Sequence, residues 1–280
     1  MKYVVGVAWL GVAVLPQGIA ANGASPLATW LVWSVWLLVA IALWIPHPLS
    51  LATVRFLAPL ATVHAGWLVA SDDDIQQRIG SVAGFLVMLA ASCLMFAASF
   101  GAHHAQAAAY GHERRHLLRP PIAVLLPLLL LWLLVAVGAG LAAFSKSLRV
   151  SLPTLLLLVP LVVFAIQRAT ILTRRWLVFV PAGIAVHDPL MLRDTFMVRS
   201  HEVRAIRVAS TASTAFDATG TTWGVIVELE LDKAHDMSLS QFGARVAGTL
   251  DRLHVSAILV APSRPSVALA NDSASQHRDV

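Results

Sequence analysis

The sequence predicts an α-helical membrane protein of five or six transmembrane helices with a C-terminal, mostly-β (α+β) cytoplasmic domain. Three observations carry this. The 280-residue chain is 58% hydrophobic and 12% charged, with a mean hydropathy of +0.75. An ordinary soluble domain holds roughly 25% charged residues. The charge is unevenly placed: residues 1–167 hold 8 Lys/Arg and 4 Asp/Glu, whereas residues 168–280 hold 12 and 11. Finally, long apolar segments fill the first part and period-2 patterns begin only after residue 172.

A spanning helix needs about 20 largely apolar residues. Segments 27–45, 49–70, 80–100, 121–144 and 152–172 meet that need, the last interrupted by Arg168. Residues 3–15 are a shorter apolar run behind Lys2. They fit a first span over about 3–20, or a secretory signal peptide ending at the small-residue triplet Gly18-Ile19-Ala20. The membrane part is thus 1–172. Trp30 and Trp44 bracket one span as an aromatic belt. Gly80 with Gly84, and Ala136 with Gly140, allow close helix packing within the chain.

Basic residues set orientation. Lys2, Arg55, Arg114, Arg115, Arg119, Arg168, Arg174 and Arg175 fall on one side, with Arg78, Lys146 and Arg149 on the other. The majority side is read as cytoplasmic, and the C-terminal part emerges there. The acidic loop Asp72-Asp73-Asp74 lies outside.

The domain is expected over 173–271, with a disordered tail at 272–280. Residues 175–180 and 184–188 read as strands around a Pro181-Ala182-Gly183 turn. Segments 195–200 and 203–209 add two more. In 223–231, Trp223, Val225, Val227, Leu229 and Leu231 share one face, with Glu228 and Glu230 on the other. Ser240 is expected to cap a helix over 241–253. A strand at 255–261 and a short helix at 266–271 follow.

Several chemistries are disfavoured. This second part is nearly neutral, so nucleic acid is not an expected partner. Cys93, the single cysteine, stands in an apolar segment without a disulfide partner. Arg55 and His64 are the notable ionisable groups inside spans; they lie on nearly opposite faces, and no relay of acids accompanies them. The string His112-Glu113-Arg114-Arg115-His116 matches H-E-x-x-H. On a helix that spacing puts two imidazoles on one face for zinc, with the Glu as base. Two arginines inside the motif oppose a dication, and Pro120-Pro121 ends the segment four residues later. The other reading of 101–120 is a basic loop on anionic headgroups. No phosphate-binding loop or nucleophile elbow occurs, and no cofactor is expected.

Several blocks taken together resemble a family. Pro46-His47-Pro48-Leu49-Ser50-Leu51 with Arg55 and Pro59 is one. Tyr110-Gly111-His112-Glu113-Arg114-Arg115 with Leu118-Arg119-Pro120-Pro121 is another. Trp176 to Gly183, His187-Asp188-Pro189-Leu190 and Pro262-Ser263-Arg264-Pro265 complete the set. The chain thereby resembles actinobacterial multi-pass integral membrane proteins of unassigned function. That resemblance implies a plasma-membrane location in a high-GC Gram-positive host and no particular activity. The C-terminal part also resembles a bacterial pleckstrin-homology-type domain.

The expected role is a non-enzymatic scaffold, assembly factor or regulator in the cell envelope, with membrane lipids and other envelope proteins as partners. The expected binding residues form a cytoplasmic-face cluster: His47, Arg55, Glu113, Arg114, Arg115, Arg119 and Arg264, with Glu113 pairing Arg55 or Arg119. Two alternatives stand beside it. One is a zinc metallopeptidase using His112, Glu113 and His116; the other is a transporter of a lipidic or small substrate.

Overall fold

The computed structural model describes residues 2–15, 26–71, 74–145 and 147–276. The Gly18-Ile19-Ala20 triplet, Asp72, Asp73, Lys146 and the last four residues lie outside the described residues. The chain divides into two compact units. One is Met1–Gly101 with Leu128–Thr170; the other is Ala102–Pro127 with Ile171–Val280.

The first unit is helical: α1 (Lys2–Gly11), α2 (Pro26–Trp44), α3 (Pro48–Ser71), α4 (Ile75–Phe96), most of α6 (Ile122–Phe144) and α7 (Leu148–Thr173). Between α4 and α6 lies α5 (Ala98–Ala107). Among the described residues, four helices are long and apolar enough to cross a membrane: Pro48–Ser71, Ile75–Phe96, Ile122–Ala142 and Leu148–Thr173. The apolar segments Lys2–Val14 and Ala28–Trp44 are shorter. Leu129, Leu130, Leu133, Leu134 and Val137 of α6 are exposed. Such a surface is unfavourable in water and suits hydrocarbon.

Several polar groups inside this unit find partners, which an apolar medium would require. The Trp9 and Trp36 indoles donate to each other's backbone carbonyls at 3.1 and 3.0 Å. The Thr62 and Ser92 hydroxyls bond at 2.7 Å, joining α3 to α4. Gly138 admits Leu158 of α7: a Cβ there would stand 2.8 Å from the Leu158 Cδ1.

The second unit holds two four-stranded sheets. Sheet A is β1 (Arg114–Leu117), β2 (Trp176–Val180), β3 (Gly183–His187) and β4 (Phe196–Arg199), in that order and antiparallel throughout. Sheet B has the order β5 (Val203–Val208), β7 (Val227–Ser238), β8 (Arg252–Val260), β6 (Phe216–Asp217). Alternating apolar side chains from both sheets meet in one core. Leu177, Val186 and Val198 come from sheet A; Leu229, Ile258 and Val260 come from sheet B. Ala268 of α9 (Pro265–Gln276) joins the same core.

The structure departs from the sequence expectations in particular places. The segment 101–120 is not a continuous loop. It carries α5, a turn and β1, which pairs with β2 in the register Leu117↔Trp176. A unit bounded at 173 would lack that strand. Leu118 is buried in the core, and its N–H donates to the Arg175 carbonyl at 2.8 Å. The span expected at 80–100 starts at Ile75 and breaks at Ala97, whose ψ of 142° leaves the helical region. The strand expected from 223 begins at Val227. The helix expected to reach 253 is α8 (Gln241–Ala247), stopped by Gly248 in the left-handed conformation at φ 63°; β8 consequently starts earlier, at Arg252. The final helix runs on to Gln276, through part of the tail expected to be disordered.

Candidate functional site

The residues singled out in the sequence are described within the unit that holds each, and several have local structural tasks. His47 accepts the Leu49 N–H on its Nδ1 at 3.1 Å, capping the start of α3. Arg55 donates from Nε to the Met95 carbonyl at 3.1 Å, serving the orphan acceptors at the end of α4. Its guanidinium carbon lies 5.8 Å from the centre of the Phe96 ring.

Glu113 pairs neither Arg55 nor Arg119. It binds Arg115 at 2.9 Å, and the Tyr110 N–H donates to the same carboxylate at 3.3 Å. Those two bonds hold its carboxyl below the usual range. Arg115 in turn stacks 4.5 Å from the centre of the Trp176 ring, whose far neighbour is His187 at 5.4 Å. Burial lowers the His187 pKa, against the opposing pull of Asp188. Arg114 and Arg264 are exposed.

The H-E-x-x-H string is not helical. His112 lies in a turn and His116 on β1, so the two imidazoles lose the shared helical face that zinc binding of this kind requires. His116 is buried with its ring edge-on to Phe179 at 5.4 Å. Burial, then Arg264 and Arg114, push its pKa down to about 4. Among the described residues, no group of three His, Cys, Asp or Glu side chains gathers as a metal site.

The most completely built polar site involves two residues not chosen as binding candidates. Arg175 and Asp188 are each 1% exposed. Arg175 donates from Nε to both Asp188 oxygens at 2.9 and 2.8 Å, and its Nη2 lies 2.7 Å from Oδ2. The other arginine donors reach the Arg119 carbonyl at 2.6 Å and the Ala218 carbonyl at 3.1 Å. Asp188 Oδ1 also accepts the Leu190 and Met191 N–H groups at 3.1 and 3.2 Å. A buried charge pair is tolerated when its remaining donors and acceptors are satisfied in this way. The pair joins the end of α7, the end of β3, the segment after β1 and the loop after β6.

That last loop, 218–226, is held rigidly. The Ile122 N–H donates to the Thr221 carbonyl at 3.0 Å, and the Thr222 hydroxyl to the Pro120 carbonyl at 2.9 Å. Arg119 Nη1 donates to the carbonyls of Trp223 at 3.0 Å and Val225 at 3.4 Å. Its guanidinium occupies the space a Gly224 Cβ would need, at a Gly224 φ of +86°. Thr221 has a φ of 64°, rare for a β-branched residue. Trp223 therefore leaves the core face assigned to it by alternation and is 50% exposed, with Val225 43% exposed.

The geometry can position and present groups: Arg175 pairs with Asp188 and Arg115 with Glu113, while Arg119 is engaged with backbone carbonyls. Comparison with family models, curated proteins and solved structures finds no match to this chain.

Proposed function

We propose that the chain is a multi-pass plasma-membrane protein whose sheet unit stands on the cytoplasmic side. There it acts as a non-enzymatic scaffold, assembly factor or regulator in the cell envelope, through lipid headgroups or partner proteins. One observation carries the reading. Sheet A is made of strands on both sides of the α6–α7 pair: β1 precedes α6 and β2 follows α7. Two strands that hydrogen-bond to each other must lie in one compartment, so the helices between them cross an even number of times. Two membrane-length helices meet that condition. The excess of Arg near these junctions favours the cytoplasmic face. In this reading the two sheets followed by α9 form a pleckstrin-homology-type platform.

Two measurements test it. With Cys93→Ser as background, a Ser210→Cys label site in the β5–β6 loop should react with an impermeant maleimide only after the cells are permeabilised. Reaction in intact cells overturns the orientation. A photo-crosslinker at Met197, exposed on β4, should give a discrete protein or lipid adduct in native membranes. Stoichiometric zinc in the purified chain, with peptidase activity abolished by Glu113→Gln, would replace the scaffold reading by an enzyme.

A further inference from the structure

We propose that the Thr221–Val225 loop is a bilayer-interface anchor that seats the Trp223 indole among lipid headgroups beside the start of α6. This rests on the reading above that α6 crosses the membrane.

Helix α6 (Ile122–Phe144) has 23 residues; at about 1.5 Å per residue it spans roughly 34 Å, a few Å more than the ~30 Å hydrocarbon core. Such a helix has about one turn of slack. If it crosses, Ile122 stands within a few Å of the boundary between hydrocarbon and headgroups.

The loop is tied to that residue. The Ile122 N–H to Thr221 carbonyl bond is 3.0 Å, and Trp223 is two residues further on, at most about 7 Å of extended chain. The Trp223 backbone therefore lies within about 14 Å of the boundary, and the headgroup layer is itself about 5–7 Å deep. An indole on that backbone that turns toward the bilayer comes within reach of the layer.

The side chain is suited to the place. Tryptophan concentrates where one part of the ring meets hydrocarbon and its N–H meets water or headgroups. Trp223 and Val225 are exposed apolar groups two residues apart in one loop. Their exposure is built in: Arg119 clamps both carbonyls, Gly224 makes room for that guanidinium, and Thr221 stays in the left-handed region despite its branched side chain. Local strain of this kind persists only where the surroundings enforce it. Here it turns a large apolar ring outward, next to the end of a membrane-length helix.

The test uses the full-length protein with Cys93→Ser, reconstituted in nanodiscs of phosphatidylcholine and phosphatidylglycerol. Nitroxide labels are placed singly through Trp223→Cys and Val225→Cys. Leu130→Cys in mid-α6 serves as the hydrocarbon reference, and Ser210→Cys as the aqueous one. Power saturation with oxygen and with a water-soluble nickel chelate reads depth. Positions 223 and 225 should show an oxygen-to-nickel accessibility ratio several-fold above 210 and below 130. A ratio equal to that of 210 overturns the anchor. So does protection from both reagents, which would mean protein covers the loop. An aqueous reading at 130 overturns the spanning of α6 itself, and so separates the two failures. Val225→Cys keeps the test decisive if loss of the indole disturbs the fold.

Discussion

Arg175 and Asp188 leave water together, so neither can be removed alone without stranding the other. Breaking such a buried pair costs about 3–5 kcal/mol, most of it the uncompensated charge. Asp188→Asn should therefore lower the thermal unfolding midpoint of the sheet unit sharply, read by near-UV circular dichroism of the full chain in detergent. Arg175→Met with Asp188→Leu should recover much of the loss. The pair was legible in the sequence, though only through register. A two-residue turn at Pro181-Ala182 sets Val180 opposite Gly183 and Trp176 opposite His187, which places Arg175 across from Asp188. His116 gives a second residue-scale expectation. Its native pKa of about 4 lies below the ordinary value near 6.5, so below that value the unfolded chain takes up a proton that the native state refuses. Stability is full above pH 6.5, falls as the pH drops toward about 4, and flattens below that. His116→Phe should remove this part of the pH dependence, measured as unfolding midpoint against pH.

At the scale of elements, β1 shows how a short edge strand is kept from pairing with strangers. The Gln106 side chain on α5 accepts the Arg115 N–H at 3.0 Å and donates to the Glu113 carbonyl at 2.8 Å. It acts as a one-residue substitute for a neighbouring strand. Gln106→Ala should speed amide exchange at Arg115 and cost about 1 kcal/mol, the net worth of a hydrogen bond or two. A harsher result is expected at Gly183. A Cβ there would run into the Val198 carbonyl and come within 2.9 Å of the Arg199 Cα, so Gly183→Ala should unzip β3 from β4. Loss of the dispersed amide signals of 196–199 would show it. Strands β2 to β5 and the long helices were legible because periodicity and apolar length report them directly. The interruptions were less so. Gly248 stops α8 and Gly224 with Thr221 delays β7 through backbone conformations that hydrophobic pattern does not encode. The string around His112 misled because H-E-x-x-H carries its meaning only on a helix. In Arg114–Leu117 the surrounding chain supplies a strand to pair with, and tertiary pairing overrode local preference.

At the scale of the molecule, the sheet unit is discontinuous in sequence, and this was the least legible feature. Nothing in the pattern of residues 102–127 points to β2, because the pairing is made across about fifty intervening residues of α6 and α7. The consequence is testable. A fragment of residues 171–280 retains seven strands and both later helices, yet it lacks β1, the core side chain Leu118 and the Arg119 carbonyl that takes an Arg175 donor. It leaves the β2 edge open and a buried guanidinium partly unsatisfied, faults that favour aggregation and local opening. The fragment alone should give poorly dispersed amide signals and rapid proteolysis. A synthetic peptide of residues 102–121 added in trans should restore dispersion and protection, since it returns the edge strand together with its Gln106 cover. If the fragment folds fully without the peptide, the β1 segment is an accessory to the sheet rather than part of it. The β1–β2 pairing would then no longer require both ends of the α6–α7 pair to lie on one membrane face.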